Sequence, residues 1–462
     1  MKPQEPIAAS RPRAQRHKTV RTLRHLDESH APLRASSSHR ESGHNRAPEL
    51  ELVPLVASPP QHEVPAEPAP LSPSETKKFK KLVAPQVPCA PCHWGLLVAS
   101  LLLAAVSVPL VYSASTAIAL DQHGGDPNFF LTRQGMNVVL GVLMMVLVSR
   151  VRPEKVRGLA WTLYFVAVAG LVLTKFSPLG FSMGNVERWV KVGPLTFQFS
   201  ELAKIALVGV LADYWKLSAR RSQKTMRPWV PALLIAGLPL GLTFIQPHLS
   251  AALVLGVIPF VVAWCAGVPS KHFTRILVPL GVLVAVTIGL CKTHSVPFLA
   301  PYQMDRIAAK ISGASDEQGG NYQQLQGERA ISRGGLGGVG LGASLYKQGH
   351  LPAPHTDFIF AVIAEETGLW GCALLLGLYG SIVFFCFQIG HSSRDGFQKL
   401  LCSGVGALWA IQALGNIGVV SGLLPVTGMP LPILTYGGSG LWCALLGVGL
   451  VLSVSRAHCE EN

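Results

Sequence analysis

The sequence predicts an all-α polytopic membrane protein, with about ten transmembrane helices behind a disordered N-terminal tail. Three observations predict it. Of 462 residues, 49% are apolar and only 14% charged, where a soluble chain of this length carries about 25% charged residues. Residues 94–120 hold no charge at all, and a run of that length crosses the roughly 30 Å hydrocarbon core as a helix. The Lys and Arg residues gather in the tail and in short stretches between the apolar runs.

Residues 1–92 are rich in Pro, Ser, Arg and His and show no sustained apolar period. Such a composition cannot bury a core, so the segment reads as a disordered basic cytoplasmic tail. It is too long and polar for a signal peptide. Its end, Lys77, Lys78, Lys80 and Lys81, is a juxtamembrane basic cluster suited to anionic lipid. The second unit is the membrane domain, 93–456. Its spans are expected at 94–118, 133–149, 158–176, 199–215, 229–246, 249–267, 276–296, 357–386, 399–420 and 433–454. The break between the fifth and sixth is the stretch around Pro247.

Short loops rich in Lys and Arg stay in the cytoplasm. That rule assigns the loops with Arg150, Arg152, Lys155 and Arg157, with Lys216 to Arg227, with Lys271 and Arg275, and with Arg394 and Lys399 to the inside. Both termini are then cytoplasmic, and the long loop 297–356 lies outside. A loop of that length among short ones is functional or disordered. Its glycines and its Tyr322 suggest an ordered surface.

The net charge of +14 follows from membrane orientation and calls for no nucleic acid. Most of the nine cysteines sit inside apolar runs, as small buried residues and not a disulfide framework. CAPCH at 89–93 matches a haem-attachment pattern, but it falls on the cytoplasmic side, where that chemistry is not done.

Three stretches carry candidate chemistry. In NVERWVKVGPLTFQFSELAK (185–204), Arg188 and Lys191 flank Trp189, as a membrane anchor or as a phosphate-binding edge. Glu201 and Lys204 follow, three apart on one helix face, as a structural ion pair or a site. In PHTDFIFAVIAEETG (354–368), Asp357 suits a helix N-terminus, while Glu365 and Glu366 need partners, for which Lys204 and Arg188 are available. In LLPVTGMPLPILTYGGSG (423–440), prolines and glycines break the helix. Irregular backbone at membrane depth implies a cleft.

These blocks resemble the SEDS family (shape, elongation, division and sporulation proteins, typified by FtsW and RodA). The resemblance covers about 94–455, through HTDFIFAVIAEETG, SELAK, GLLPVTGMPLPILTYGGSG and the Gly-rich loop with its upstream Asp. The long tail and GASLYKQGHLP with Lys347 are more similar to the FtsW branch. The resemblance implies a ten-helix SEDS fold and a glycosyltransferase. It would polymerise lipid II during septal cell-wall synthesis, in the bacterial inner membrane, and release undecaprenyl pyrophosphate. The family's essential carboxylate corresponds to Asp316, ahead of Tyr322; it would act as the base. Arg188, Lys191, Glu201, Lys204, Arg333, His355, Asp357 and Glu366 would bind substrate. The resemblance fixes no cofactor; a divalent cation, Mg2+ or Mn2+, is compatible with the chemistry. It implies a class B penicillin-binding transpeptidase and other division proteins as partners. This chain departs from the family where QPDLGT becomes QPHLSA, placing His248 at an acidic position, and around Asp316, in ISGASDEQGG. A lipid II flippase, a RodA-type elongation polymerase and a recruiting scaffold remain alternative readings.

Overall fold

The computed structural model describes residues 93–122, 124–178, 180–183, 186–192, 195–291 and 322–460. The tail and Asp316 lie outside the described residues. Ten long helices account for the ten expected spans: α1 (Trp94–Gln122), α2 (Phe129–Ser149), α3 (Pro153–Phe176), α4 (Phe199–Ser222), α5 (Trp229–Ile245), α6 (Leu249–Cys265), α7 (Ser270–Cys291), α9 (Ile359–Ser392), α10 (Gly396–Val420) and α11 (Gly438–Glu460). Six of them are long and apolar enough to cross a membrane by length and composition, and α5 and α6 are shorter apolar helices. A further helix, α8 (Tyr322–Gly334), was not expected within the long loop.

The sequence reading also missed a small sheet between α3 and α4. Strands β1 (Gly180–Met183), β2 (Val186–Val192) and β3 (Leu195–Phe197) pair antiparallel in that order. Val190 pairs with both Gly180 and Phe197. The β-branched VERWVKV run favours a strand. Its alternation puts Arg188 on one face with the buried Val190, and Lys191 on the other, exposed face.

Helix α4 is central. It packs against α3, α6, α10 and α11, and nearly every residue from Ser200 to Asp213 is buried. Small residues bring the helices close, as lipid-embedded packing requires. The Cα of Gly404 on α10 faces Val208 of α4, and that of Gly449 on α11 faces the Met145 backbone of α2. The outward faces of α1, α2 and α9 carry exposed Leu, Val, Phe and Trp, as a lipid-facing surface does.

The charges divide by bundle end. At one end Arg157 pairs with Asp213 at 2.5 Å and Lys216 with Asp395 at 2.6 Å, among the other basic connectors. The other end holds the sheet, α8 and the irregular segment 421–437 that joins α10 to α11.

Helix α9 is broken at Gly368, whose φ of 65° and ψ of −162° are not helical. The backbone groups freed by the break are taken up by the Gly-rich stretch after α8. The amides of Val339 and Gly340 donate to the carbonyls of Glu365 and Glu366 at 3.0 and 3.1 Å, and those of Leu369 and Trp370 donate to Gly335 and Leu336 at 3.0 and 3.4 Å. A helix break inside a membrane bundle is tolerated where neighbours satisfy the exposed groups in this way. Gly338 lies against the Glu366 carbonyl with a φ of 76°, a conformation that costs any L side chain energy. Gly338→Ala should therefore destabilise the protein by about 2 kcal/mol or more. Thermal unfolding in detergent measures it, with Gly337→Ala, which has open space around its Cβ position, as the control.

Candidate active site

A cavity of about 330 Å³ opens at the end of the bundle that holds the sheet, a volume in the range of small-ligand pockets. Several elements build it, with α10, α11 and the α5–α6 break among them. Strand β2 supplies Arg188 and Trp189, and α4 supplies Glu201 and Lys204. The turn before α9 supplies Thr356 and Asp357, and the irregular segment supplies Gly428 and residues 430–433 and 435–437. The helix breakers of LLPVTGMPLPILTYGGSG thus form a cavity wall, as the reading of a cleft required.

Side chains of the bundle hold that wall in place. Asn416 Nδ2 donates to the carbonyls of Asp357 and Met429 at 2.8 and 2.6 Å, tying the turn before α9 to the segment. Tyr379 Oη donates to the Pro432 carbonyl, and Gln134 Nε2 to that of Ile433 at 3.4 Å. The Thr435 hydroxyl accepts from the Leu431 amide at 2.8 Å. Orphaned carbonyls buried in lipid cost several kcal/mol each, so these donors make the irregular backbone possible.

Within the cavity Lys204 Nζ contacts Glu201 at 2.7 Å, and both side chains are buried. The helical spacing produces this pair, and each charge neutralises the other. Arg188 Nη2 donates to the Pro247 carbonyl at 2.6 Å, which fixes the guanidinium at the α5–α6 break. Asp357 precedes α9, whose N-cap is Phe358. The residues expected to bind substrate therefore separate. Arg188, Glu201, Lys204 and Asp357 line one cavity. His355 packs its ring between Phe130 and Tyr436, with centroids 4.7 and 5.6 Å away, behind the wall that Tyr436 forms. Lys191 is exposed and does not line the cavity.

Arg333 and Glu366 lie elsewhere, and the expected partners of the two glutamates need correction. Neither glutamate meets Lys204 or Arg188. Glu365 pairs with Arg333 of α8 at 2.5 Å, and also accepts from the Ser344 hydroxyl and from the Leu345 amide at 3.0 Å. Glu366 pairs with Lys347 at 2.7 Å and accepts from Ser113 of α1 at 2.8 Å, while Lys347 donates to the same hydroxyl at 3.0 Å. The physical reason is proximity. The Gly-rich stretch folds back over the break in α9 and brings its own cations to these carboxylates. The two pairs clamp α8 and the Gly-rich stretch to the bundle.

The sequence reading passed over Gln198, Gln412 and Tyr436 as cavity residues, and placed His248 only at a helix break. All four line the cavity. Gln198 immediately precedes α4 and His248 is the N-cap of α6; polar residues at the mouths of apolar helices were the available signal. Among the described residues no three His, Cys, Asp or Glu side chains form a metal-binding group.

Fold and cavity define a polytopic membrane protein with a polar pocket at one end of its bundle, walled by a broken-backbone segment. Residues 94–460 match the family model FTSW_RODA_SPOVE, described as cell cycle protein, and the chain belongs to that family. It is 35% identical to the probable peptidoglycan glycosyltransferase FtsW of Thioalkalivibrio sulfidiphilus, over 80% of this chain and 90% of the relative. It is 33% identical to the protein of the same name from Neisseria gonorrhoeae, over 79% and 84%. It is 34% identical to stage V sporulation protein E of Bacillus subtilis, over 78% and 96%. A chain solved in work on the structural coordination of polymerization and crosslinking by a peptidoglycan synthase complex superposes with a TM-score of 0.64, at 31% identity, over 79% of this chain and 97% of that one. The rod shape determining protein RodA of Thermus thermophilus superposes with a TM-score of 0.54 at 30% identity, over 79% and 96%.

Removing one member of a buried ion pair leaves an uncompensated charge, at a cost of about 3–5 kcal/mol. Lys347→Met is therefore expected to lower stability by that amount, and Lys347→Met combined with Glu366→Leu by less than the sum of the single changes. A double-mutant cycle on unfolding in detergent reads the difference.

Proposed function

We propose that this chain polymerises lipid II into glycan strands at the division septum, with Asp316 as the base and the cavity holding the phosphate and sugar of the substrate. The protein is a membrane-embedded peptidoglycan glycosyltransferase of the FtsW kind, by its family and its relatives. The observation that carries the substrate reading is the convergence of Arg188, Glu201, Lys204 and Asp357 on one cavity beside an irregular backbone wall.

The reaction has a definite balance. The acceptor sugar's 4-hydroxyl gives its proton to the Asp316 carboxylate as its oxygen bonds to the donor's anomeric carbon. The bond from that carbon to the diphosphate breaks, and undecaprenyl pyrophosphate leaves with the electron pair. A general base supplies about 10²–10⁴-fold. Arg188 offers a planar guanidinium suited to phosphoryl oxygens, and a fixed donor aimed at a developing charge is worth more in a low-dielectric site than in water. The amides of Gln198 and Gln412 and the Thr356 and Ser439 hydroxyls on the wall suit sugar hydroxyls. The prenyl chain stays among the lipid-facing helices. A divalent cation, where one binds with the substrate, would supply charge stabilisation to the leaving diphosphate.

Orientation follows the basic end of the bundle. Arg150, Arg152, Lys155, Arg157, Arg220, Arg221 and Lys224 cluster there, which supports a cytoplasmic location for that end and for both termini. The cavity end then faces outward, where glycan is made. A class B penicillin-binding transpeptidase is the proposed partner, supported by the likeness to a chain of a peptidoglycan synthase complex.

Two measurements test this reading. With purified protein and lipid II, Asp316→Asn should insert and bind substrate yet lose polymer formation by at least about 10²-fold, and Glu317→Gln should keep most activity. Polymerisation by Asp316→Asn at the wild-type rate overturns the assignment. In intact cells, on a background without native cysteines, an impermeant thiol reagent should label Gln348→Cys and not Lys224→Cys, both exposed positions. The reverse pattern inverts the topology.

A further inference from the structure

His248 is the polar cavity residue without a role in the reading above. Its side chain is buried, at 6% exposure, and lines the cavity with Arg188 and Lys204. As the N-cap of α6 it makes no capping bond with its side chain, so the ring is not spent on helix termination. Its two hydrogen-bonding neighbours among the described residues both meet Nδ1: Ser200 Oγ at 3.3 Å and Gln198 Nε2 at 3.5 Å.

That arrangement selects a tautomer. An amide nitrogen only donates, and a hydroxyl can donate as well. With the Gln198 amide nitrogen toward the ring, Nδ1 accepts, and the proton of the neutral ring sits on Nε2. A doubly protonated ring would set an N–H against the Gln198 donor and add a third cation beside Arg188 and Lys204. The polar atom left to the cavity is a neutral Nε2–H donor. An acid, which the family pattern QPDLGT has at this position, would offer only acceptor oxygens.

We propose that His248 is a substrate-binding residue of this chain: its Nε2–H, fixed by Gln198 and Ser200, donates to a phosphoryl oxygen of the lipid-linked diphosphate beside Arg188. A phosphoryl oxygen of an ionised diphosphate accepts and cannot donate, so it matches a neutral donor and is repelled by a carboxylate. The proposal rests on the reading of the cavity as the substrate site.

Glutamine and asparagine separate the two ring nitrogens. The amide nitrogen of His248→Gln can reach the position of Nε2, and that of His248→Asn only the position of Nδ1. Lipid II polymerisation is measured for both, with undecaprenyl diphosphate as a competing inhibitor and thermal unfolding as the folding control. His248→Gln is expected to stay within about threefold of wild type in KM and in inhibition. His248→Asn and His248→Asp should each lose roughly tenfold or more in both, as for a hydrogen bond to a charged group, with kcat changing less. Equal behaviour of folded Gln and Asn variants overturns the proposal. Nitrogen-15 NMR of the wild-type ring, assigned by difference from His248→Gln, should show the proton on Nε2, and a proton on Nδ1 overturns it even where a variant fails to fold. Failure of the cavity reading looks different: wild-type protein would then polymerise lipid II with no inhibition by undecaprenyl diphosphate.

Discussion

A charge buried in a lipid-embedded bundle must bring its counter-charge with it, and much of this structure follows from that constraint. Among the described residues, and apart from Asp213 with Arg157 at the basic end, three carboxylates are buried with a cation against each: Glu201 with Lys204, Glu365 with Arg333, and Glu366 with Lys347. The first pair lies within one helix and constrains little beyond its own turn. The other two cross between distant segments, so they decide where the outer stretch lies. Arg333 and Lys347 reach their partners only if α8 and the Gly-rich run fold down on α9, and Ser113 then draws in α1. Charge pairing thus sets how the bundle is covered at the end that holds the cavity.

Within the cavity the same constraint holds. Lys204 is matched by Glu201, and Arg188 is held through the Pro247 carbonyl at the α5–α6 break. The wall of residues 428–437 contributes backbone and hydroxyl groups in place of charge.

The ten spans were legible because each is a long apolar run bounded by basic or breaker residues, and the cleft because three prolines and a Gly-Gly-Ser-Gly cluster interrupt such a run. The pair Glu201–Lys204 was legible because helical spacing is local. What escaped was non-local or short. The strands β1 to β3 are too brief for alternation to stand out beside a Trp and three charges, and their pairing placed Lys191 on the face opposite Arg188. The partners of Glu365 and Glu366 could not be read from spacing, since Lys347 and Ser113 lie 19 and 253 residues away. His248 looked like a tolerated substitution at a helix break. Only the fold shows that the break faces the cavity.

The exchange of backbone hydrogen bonds at Gly368 also ties the shape of one span to a distant stretch of sequence. The amides of Leu369 and Trp370 and the carbonyls of Glu365 and Glu366 find their partners in residues that the ribosome delivers about thirty positions earlier. Loop closure on that scale costs only a few kcal/mol of chain entropy, but it must precede the reward. The bend at Gly368 is held by the docked Gly-rich run and by Lys347 on Glu366, so the shape of the eighth span depends on tertiary contacts and not on its own sequence alone.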